Sequence, residues 1–345
     1  MQSSLPGADP NLLRAEVLDL VDRLPHLSHG DRIYQALHTL IQIAQQDLDR
    51  LDWKILLGSL EDMDQAFATF SPYRHIRKIS VFGSARTPQD QPDYQMALNF
   101  SHCMAQQGYM VMTGAGEGIM QAANQGAGRD QSFGLNVELP FEQSTNSFIE
   151  GDAKLVHFKY FFTRKLFFLR ETDAVAIFPG GFGTQDEAFE CLTLMQTGKF
   201  GPVPLVLVEQ PGGSYWLAWE QFVQQQLLGL GLISGEDRSL YTITDDLSVA
   251  CGAIADFYRV YDSCRYVDDL FVMRLKGELS EAQVQELNDR FGDIVVSGKI
   301  DKSAALPQEK GDITEALPRL VFRFNQQDLG RLYQMIKAIN LMGTV

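Results

Sequence analysis

Three glycine-bearing segments and a small set of charged residues are where this sequence carries residue types and spacings suited to chemistry. The segments are Gly83-Ser84-Ala85, Gly114-Ala115-Gly116-Glu117-Gly118 and Pro179-Gly180-Gly181-Phe182-Gly183-Thr184, each after a short apolar run. Glycines there admit positive φ and let main-chain N–H groups approach a ligand, and a helix N-terminus adds about half a positive charge. Together they describe an anion pocket; any one alone reads equally well as a plain strand-to-helix turn. No Gly-Lys-Ser or Gly-Lys-Thr follows the glycines, so a Walker-type ATPase is disfavoured. The second segment has GxGxG rather than GxGxxG spacing. Glu138, 20 residues after Gly118, stands near where a ribose-binding acid is sought, which keeps an NAD-dependent oxidoreductase open as an alternative.

Thr184 and Glu187 are three residues apart, which suits a helix capping box as well as a ligand-facing acid. Beside a phosphate-ready amide cluster a glutamate is repelled unless its carboxylate addresses another part of the ligand, and a sugar carbon fits that role. Upstream, Arg164 and Lys165 sit in the middle of the strongly apolar run Phe158–Leu169, which the spacing predicts to be a buried or interface helix over 158–170. A guanidinium there must leave along its stem, pair with a carboxylate or meet an anionic ligand.

Positioning these residues requires alternating strands and helices. Short apolar runs at 79–82, 110–113, 133–139, 174–178 and 204–208 read as buried strands. Helices are expected at 94–107, 119–127, 158–170 and 185–196. This predicts an α/β fold, a Rossmann-like doubly wound parallel sheet with its ligand at the carboxyl ends of the strands. Three helical runs precede it, interrupted at Pro25, His29-Gly30 and Leu51-Asp52, and a small β-α-β-β-α module follows. The expected division is a helical N-terminal extension over 1–74, a catalytic domain over 75–265 and a C-terminal α/β module over 266–345. That module could bind a regulatory small molecule, cover the site or serve as support.

With 29 Lys plus Arg against 44 Asp plus Glu, the net charge is −15. A phosphate-bearing ligand must therefore be drawn by a local cationic site, and partnership with nucleic acid or an anionic membrane is not expected. The four cysteines form no CxxC pair and have no histidine partner at metal spacing; they are expected to be buried small hydrophobes in a reducing compartment. No apolar stretch is long enough for a membrane helix and the start lacks a secretory pattern, so a cytoplasmic location is expected. Neither a metal nor a cofactor is expected.

The runs Val81–Ser84, Thr113–Met120, Arg164-Lys165 and Pro179–Glu187 together resemble the Lonely Guy family, whose hallmark is an Arg-Lys pair on a helix and a PGGxGTxxE motif. The resemblance covers about residues 75–250. The two extensions are more similar to larger, multidomain nucleotide nucleosidases with such a centre. It implies hydrolysis of the N-glycosidic bond of a nucleoside 5′-monophosphate, AMP or a cytokinin riboside monophosphate, to free base and ribose 5-phosphate. It implies Arg164 and Glu187 as catalytic residues, with Gly180, Gly181, Gly183 and Thr184 on the phosphate and Ser84, Gly114 and Gly116 as lesser contacts. Lys165, Asn136 and Glu138 are further candidate substrate contacts, and a homodimer or larger homo-oligomer is implied. A non-catalytic nucleotide carrier or sensor is the alternative. Gly83-Ser84-Ala85 replaces the common Gly-Ser-Ser and Phe161-Phe162-Thr163 replaces Met-His-x, which leaves the base open. An older label for such proteins, lysine decarboxylase, finds no lysine in a pyridoxal-phosphate setting here.

Overall fold

The computed structural model describes residues 9–137 and 145–343, so Glu138 lies outside the described residues. The chain divides into two compact units, Met1–Leu60 and Glu61–Val345. The first contains α1 (Pro10–Arg23), α2 (Gly30–Ala44) and the start of α3 (Arg50–Phe70). The Asp49 carboxylate accepts the Leu51 and Asp52 N–H groups at 2.7 and 2.9 Å. The Leu51-Asp52 step, expected to interrupt the helices, therefore lies inside the first turn of α3.

The second unit is built on a parallel sheet. In chain order it runs β1 (Lys78–Phe82), α4 (Pro92–Gln106), β2 (Met110–Thr113), α5 (Ile119–Ala127), β3 (Ser132–Val137), β4 (Leu155–Phe158) and α6 (Phe161–Arg170). It continues with β5 (Ala174–Ile177), α7 (Phe182–Gln196), β6 (Leu205–Val208), α8 (Tyr215–Phe222), β7 (Tyr241–Thr244) and α9 (Leu247–Phe257). The seven strands are ordered β4-β3-β2-β1-β5-β6-β7 and every neighbouring pair is parallel. This is the doubly wound α/β fold. Alternation along the strands feeds two cores: Phe82, Val175 and Ile177 join Phe70, Phe133 and Phe167 on one side. Ile79, Val81, Ala174, Ala176 and Phe178 join Phe100 and Ile119 on the other. The strand order reverses between β1 and β5, and the crevice beyond their carboxyl ends is where such sheets take ligands.

Two sheet strands escape the sequence reading. Residues 155–158 form β4, which takes Phe158 from the helix expected over 158–170; that helix begins at Phe161, and β7 adds an edge. The second sheet contains β8 (Tyr261–Val267), β9 (Leu270–Leu275), β10 (Asp301–Ser303) and β11 (Arg319–Phe322), with helices α10 (Glu281–Phe291) and α11 (Leu329–Met342). Its antiparallel order is β10-β11-β9-β8. The element order is therefore β-β-α-β-β-α, not the β-α-β-β-α expected. The mixed-polarity run Tyr261–Val267 is a strand, and 293–296 is a turn with one bridge, Val295 to Phe324. A buried triad clips the long 304–318 connection to this sheet: Glu309, inaccessible to solvent, accepts from Arg274 Nη2 at 2.6 Å and Arg319 Nε at 2.9 Å. Cys191 and Cys251 are buried, whereas Cys103 and Cys264 are partly exposed. Among the described residues no helix is long and apolar enough to cross a membrane.

Candidate active site

The loops after β1, β2 and β5 converge on one open cleft of about 1060 Å³. Main-chain bonds weld them together: Ser84 N–H donates to Pro179 O at 3.1 Å, and Ile119 N–H donates to Ser84 O at 3.0 Å. Gly118 has φ +62°, and a Cβ there would lie 2.3 Å from Ser84 O, so the junction admits only glycine. Between Gly114 and Gly116, Ala115 holds the left-handed φ of 61°. Its N–H donates to Thr113 Oγ1 at 3.0 Å and its carbonyl accepts from Asn146 N–H at 2.8 Å, which offset the strain. Asn146 also donates to Gly116 O at 3.0 Å.

The third segment is the first turn of a helix rather than a loop before one. Gly181 is the N-cap of α7, and no side chain caps it. Thr184 therefore sits at the third helical position and Glu187 a turn further on, so the two do not form a capping box. This first turn lines the cleft, and the N–H groups that a helix start leaves without intrahelical partners suit a phosphate. Thr184 is pressed against Gly180, where a Cβ would lie 2.1 Å from Thr184 Oγ1 and 3.0 Å from Ser84 N. The Tyr215 hydroxyl, on α8, donates to Gly180 O at 2.6 Å and accepts from Gln185 Nε2 at 2.6 Å, bracing the turn from behind.

Glu187, only 7% exposed, faces the cleft from α7. Its Oε1 lies 3.8 Å from Arg164 Nη2 and its Oε2 lies 3.7 Å from Lys165 Nζ. Burial pushes its carboxyl up to about 7, against the opposing pull of Lys165 and then Arg164. Such a group changes charge near neutrality, as a general acid or base requires. Burial likewise lowers the Arg164 guanidinium, with Glu187 and Asp186 acting the other way. That guanidinium lies 5.1 Å from the Phe161 ring and 5.7 Å from the Phe168 ring, and its buried Nε has no hydrogen-bond partner among the described residues. A buried donor without an acceptor beside an ionisable acid is a common mark of a binding site.

Ten of the twelve sequence-selected positions line this cleft: Ser84, Gly114, Gly116, Asn136, Arg164, Gly180, Gly181, Gly183, Thr184 and Glu187. Glu138 is outside the described residues. Lys165 is not among the lining residues; its ammonium contacts Asp186 at 2.7 Å and Glu190 at 2.6 Å as well as Glu187. Arg86, Glu117, Phe161 and Phe182 also line the cleft; of these the sequence marks only Phe161, as a departure bearing on the base. Phe182, at the first position of α7, is 97% exposed. Asp62 was also missed, because its partners are nearly a hundred residues away: its buried carboxylate accepts from the N–H groups of Lys159 at 2.9 Å and Tyr160 at 3.2 Å and from the Thr163 hydroxyl. Among the described residues no group of His, Cys, Asp and Glu is gathered to hold a metal.

Residues 117–254, which include the Arg164-Lys165 pair and the Pro179–Glu187 motif, match the family model described as possible lysine decarboxylase, the older label of the Lonely Guy proteins. Residues 117–254 belong to this family. Membership supports a nucleotide-related role for the Lonely Guy domain. Among solved structures, the domain is similar to the molybdenum cofactor binding protein of Rippkaea orientalis, at 18% identity over 51% of this chain and 93% of that one, TM-score 0.37. It is similar to the Moco carrier protein of Chlamydomonas reinhardtii at 20% identity over 52% and 96%, TM-score 0.36. DNA processing protein A of Helicobacter pylori aligns at 15% identity over 51% and 79%, TM-score 0.35. No curated protein matches the chain.

Proposed function

We propose that this protein hydrolyses the N-glycosidic bond of a nucleoside 5′-monophosphate, releasing the free base and ribose 5-phosphate. The observation that carries the reading is Glu187: a buried carboxyl, pushed up to about 7, facing a cleft whose floor is the amide-rich first turn of α7. The phosphate is held by the N–H groups of Gly181 to Thr184, and this remote binding energy positions the sugar. Water attacks the anomeric carbon as the bond to the base breaks, through an oxocarbenium-like state. Glu187 as carboxylate stabilises that charge and takes the proton of the attacking water. The electron pair of the broken bond leaves with the base, which takes up a proton from solvent, and Glu187 returns the proton it took from water to solvent, so the cycle closes. Arg164 remains charged throughout, since its guanidinium does not titrate in the working range; it donates hydrogen bonds to the base or ribose. Phe161 and Phe182 offer apolar surface at the rim for the base.

Chromatography after incubation with a panel of nucleoside 5′-monophosphates and the matching unphosphorylated nucleosides tests the reading. Free base from the phosphorylated members and almost none from the others is expected. Binding without base release would instead make the protein a nucleotide carrier or sensor. The same reading expects a homodimer or larger, with exposed Phe162, Leu166 and Phe189 of α6 and α7 covered in the assembly; light scattering measures its mass.

A further inference from the structure

We infer that Asp62, on α3 and well before the first strand of the sheet, is a positioning residue for Arg164; the inference rests on the nucleosidase reading above. The Asp62 side chain is 4% exposed and ends where β4 passes into α6. A carboxylate buried this deeply needs several donors, and it has them: the N–H of Lys159, the N–H of Tyr160 and the hydroxyl of Thr163. These flank the helix start, two on the incoming chain and one at its third helical position. Tyr160 then passes the constraint on: its N–H is held by Asp62, and its carbonyl, in the following peptide group, accepts the Arg164 N–H at 3.2 Å. Arg164 is therefore one hydrogen-bonded residue removed from Asp62. The N-cap of α6, Tyr160, makes no side-chain capping bond to the helix, and within α6 the Thr163 hydroxyl lies 2.9 Å from the Tyr160 carbonyl as well as against Asp62.

Aromatic contacts hold α3 in register for this task. Phe67 meets Phe167 edge-on at 5.3 Å between ring centroids, and Phe70 stacks on Phe133 at 4.7 Å. Because, among the described residues, the bonds of the Asp62 carboxylate go to the start of α6 and not to the first turn of α7, loosening the start of α6 displaces Arg164 while leaving the phosphate grip in place. Displacement of a catalytic group by about 1 Å costs up to about a hundredfold in rate. Asp62 touches neither the cleft nor, on this account, the substrate.

The test compares Asp62→Ala and Asp62→Asn with Asp246→Ala, using release of free base from a nucleoside 5′-monophosphate that the wild type cleaves. Asp246 caps α9 through the N–H groups of Ser248 and Val249 and is not among the residues that line the cleft, so its variant controls for loss of a helix cap in the same unit. Asp62→Ala is expected to lower kcat by about tenfold or more with KM changed less than about twofold. Asp62→Asn, which keeps one accepting oxygen, is expected to fall between, and Asp246→Ala to keep the wild-type kcat. Asp62→Ala with a kcat within about twofold of wild type overturns the inference. So does a loss of kcat shared by Asp246→Ala in proportion to the fall in Tm. Should Asp62→Ala not fold, Asp62→Asn and Thr163→Val carry the comparison, and unchanged kcat in both overturns it. A wild type that releases no base is a separate result, which fails the underlying reading and the inference with it.

Discussion

Replacing Lys165 by Met is expected to move the acid limb of the pH profile upward. The ammonium lies 3.7 Å from Glu187 Oε2 and favours the carboxylate, while burial favours the neutral acid more strongly. Removing the cation therefore raises the carboxyl further. Two unit charges about 4 Å apart at an effective dielectric near 20 interact by about 4 kcal/mol, which sets a ceiling of about three pH units. The ammonium is shared with Asp186 and Glu190, and water in an open cleft screens what remains, which reduces the expected shift to about one unit. The assay is kcat/KM for base release from about pH 5 to 9, which reports the free enzyme. The substrate phosphate, titrating near about 6, contributes equally to both enzymes, so their difference isolates Glu187. An acid limb that stays in place, or moves to lower pH, refutes the electrostatic coupling of Lys165 to Glu187.

Glu187 is held in a fold that disfavours its charge: its pKa in the folded protein is raised from 4.5 to about 7, so stability is lost as pH rises through that window. Glu187→Gln is accordingly expected to raise Tm relative to wild type above pH 7 and to leave it nearly unchanged at pH 4, as calorimetry at the two pH values measures. Gly180→Ala places a methyl against Thr184 and Ser84 N, and is expected to cost about 1–3 kcal/mol and to weaken substrate phosphate binding, seen as a raised KM. Glu309→Ala leaves Arg274 and Arg319 buried without their counter-ion, and is expected to lose about 3–5 kcal/mol in denaturant titration.

Sequence pattern carried the sheet and cleft a long way, and the places where it fell short share one physical cause. Runs such as Ile79–Phe82 and Ile119–Ala127 announce their elements because local periodicity and burial agree. The glycine segments announce the cleft because close backbone approach leaves few other residues possible, as at Gly118 against Ser84. The boundary between β4 and α6 could not be read, because aromatic and aliphatic residues continue across 158–170 without a Gly, Pro or capping signal, and the bonds at the break come from Asp62 on a distant helix. The Thr184–Glu187 spacing suggested a capping box, but Gly181 opens α7 three residues earlier and its first turn is left for a ligand. Lys165 is adjacent to Arg164 in sequence, yet a helix turns neighbours about 100° apart, and its ammonium reaches the acids of α7 instead of lining the cleft.

The most direct measurement of the central claim is the rate of free-base release from a nucleoside 5′-monophosphate by wild type, Glu187→Ala and Arg164→Ala, with nucleotide binding measured alongside. Each variant is expected to bind the nucleotide through the first turn of α7, to keep its fold, and to lose turnover by about a hundredfold or more. Wild-type turnover in either variant would contradict the account.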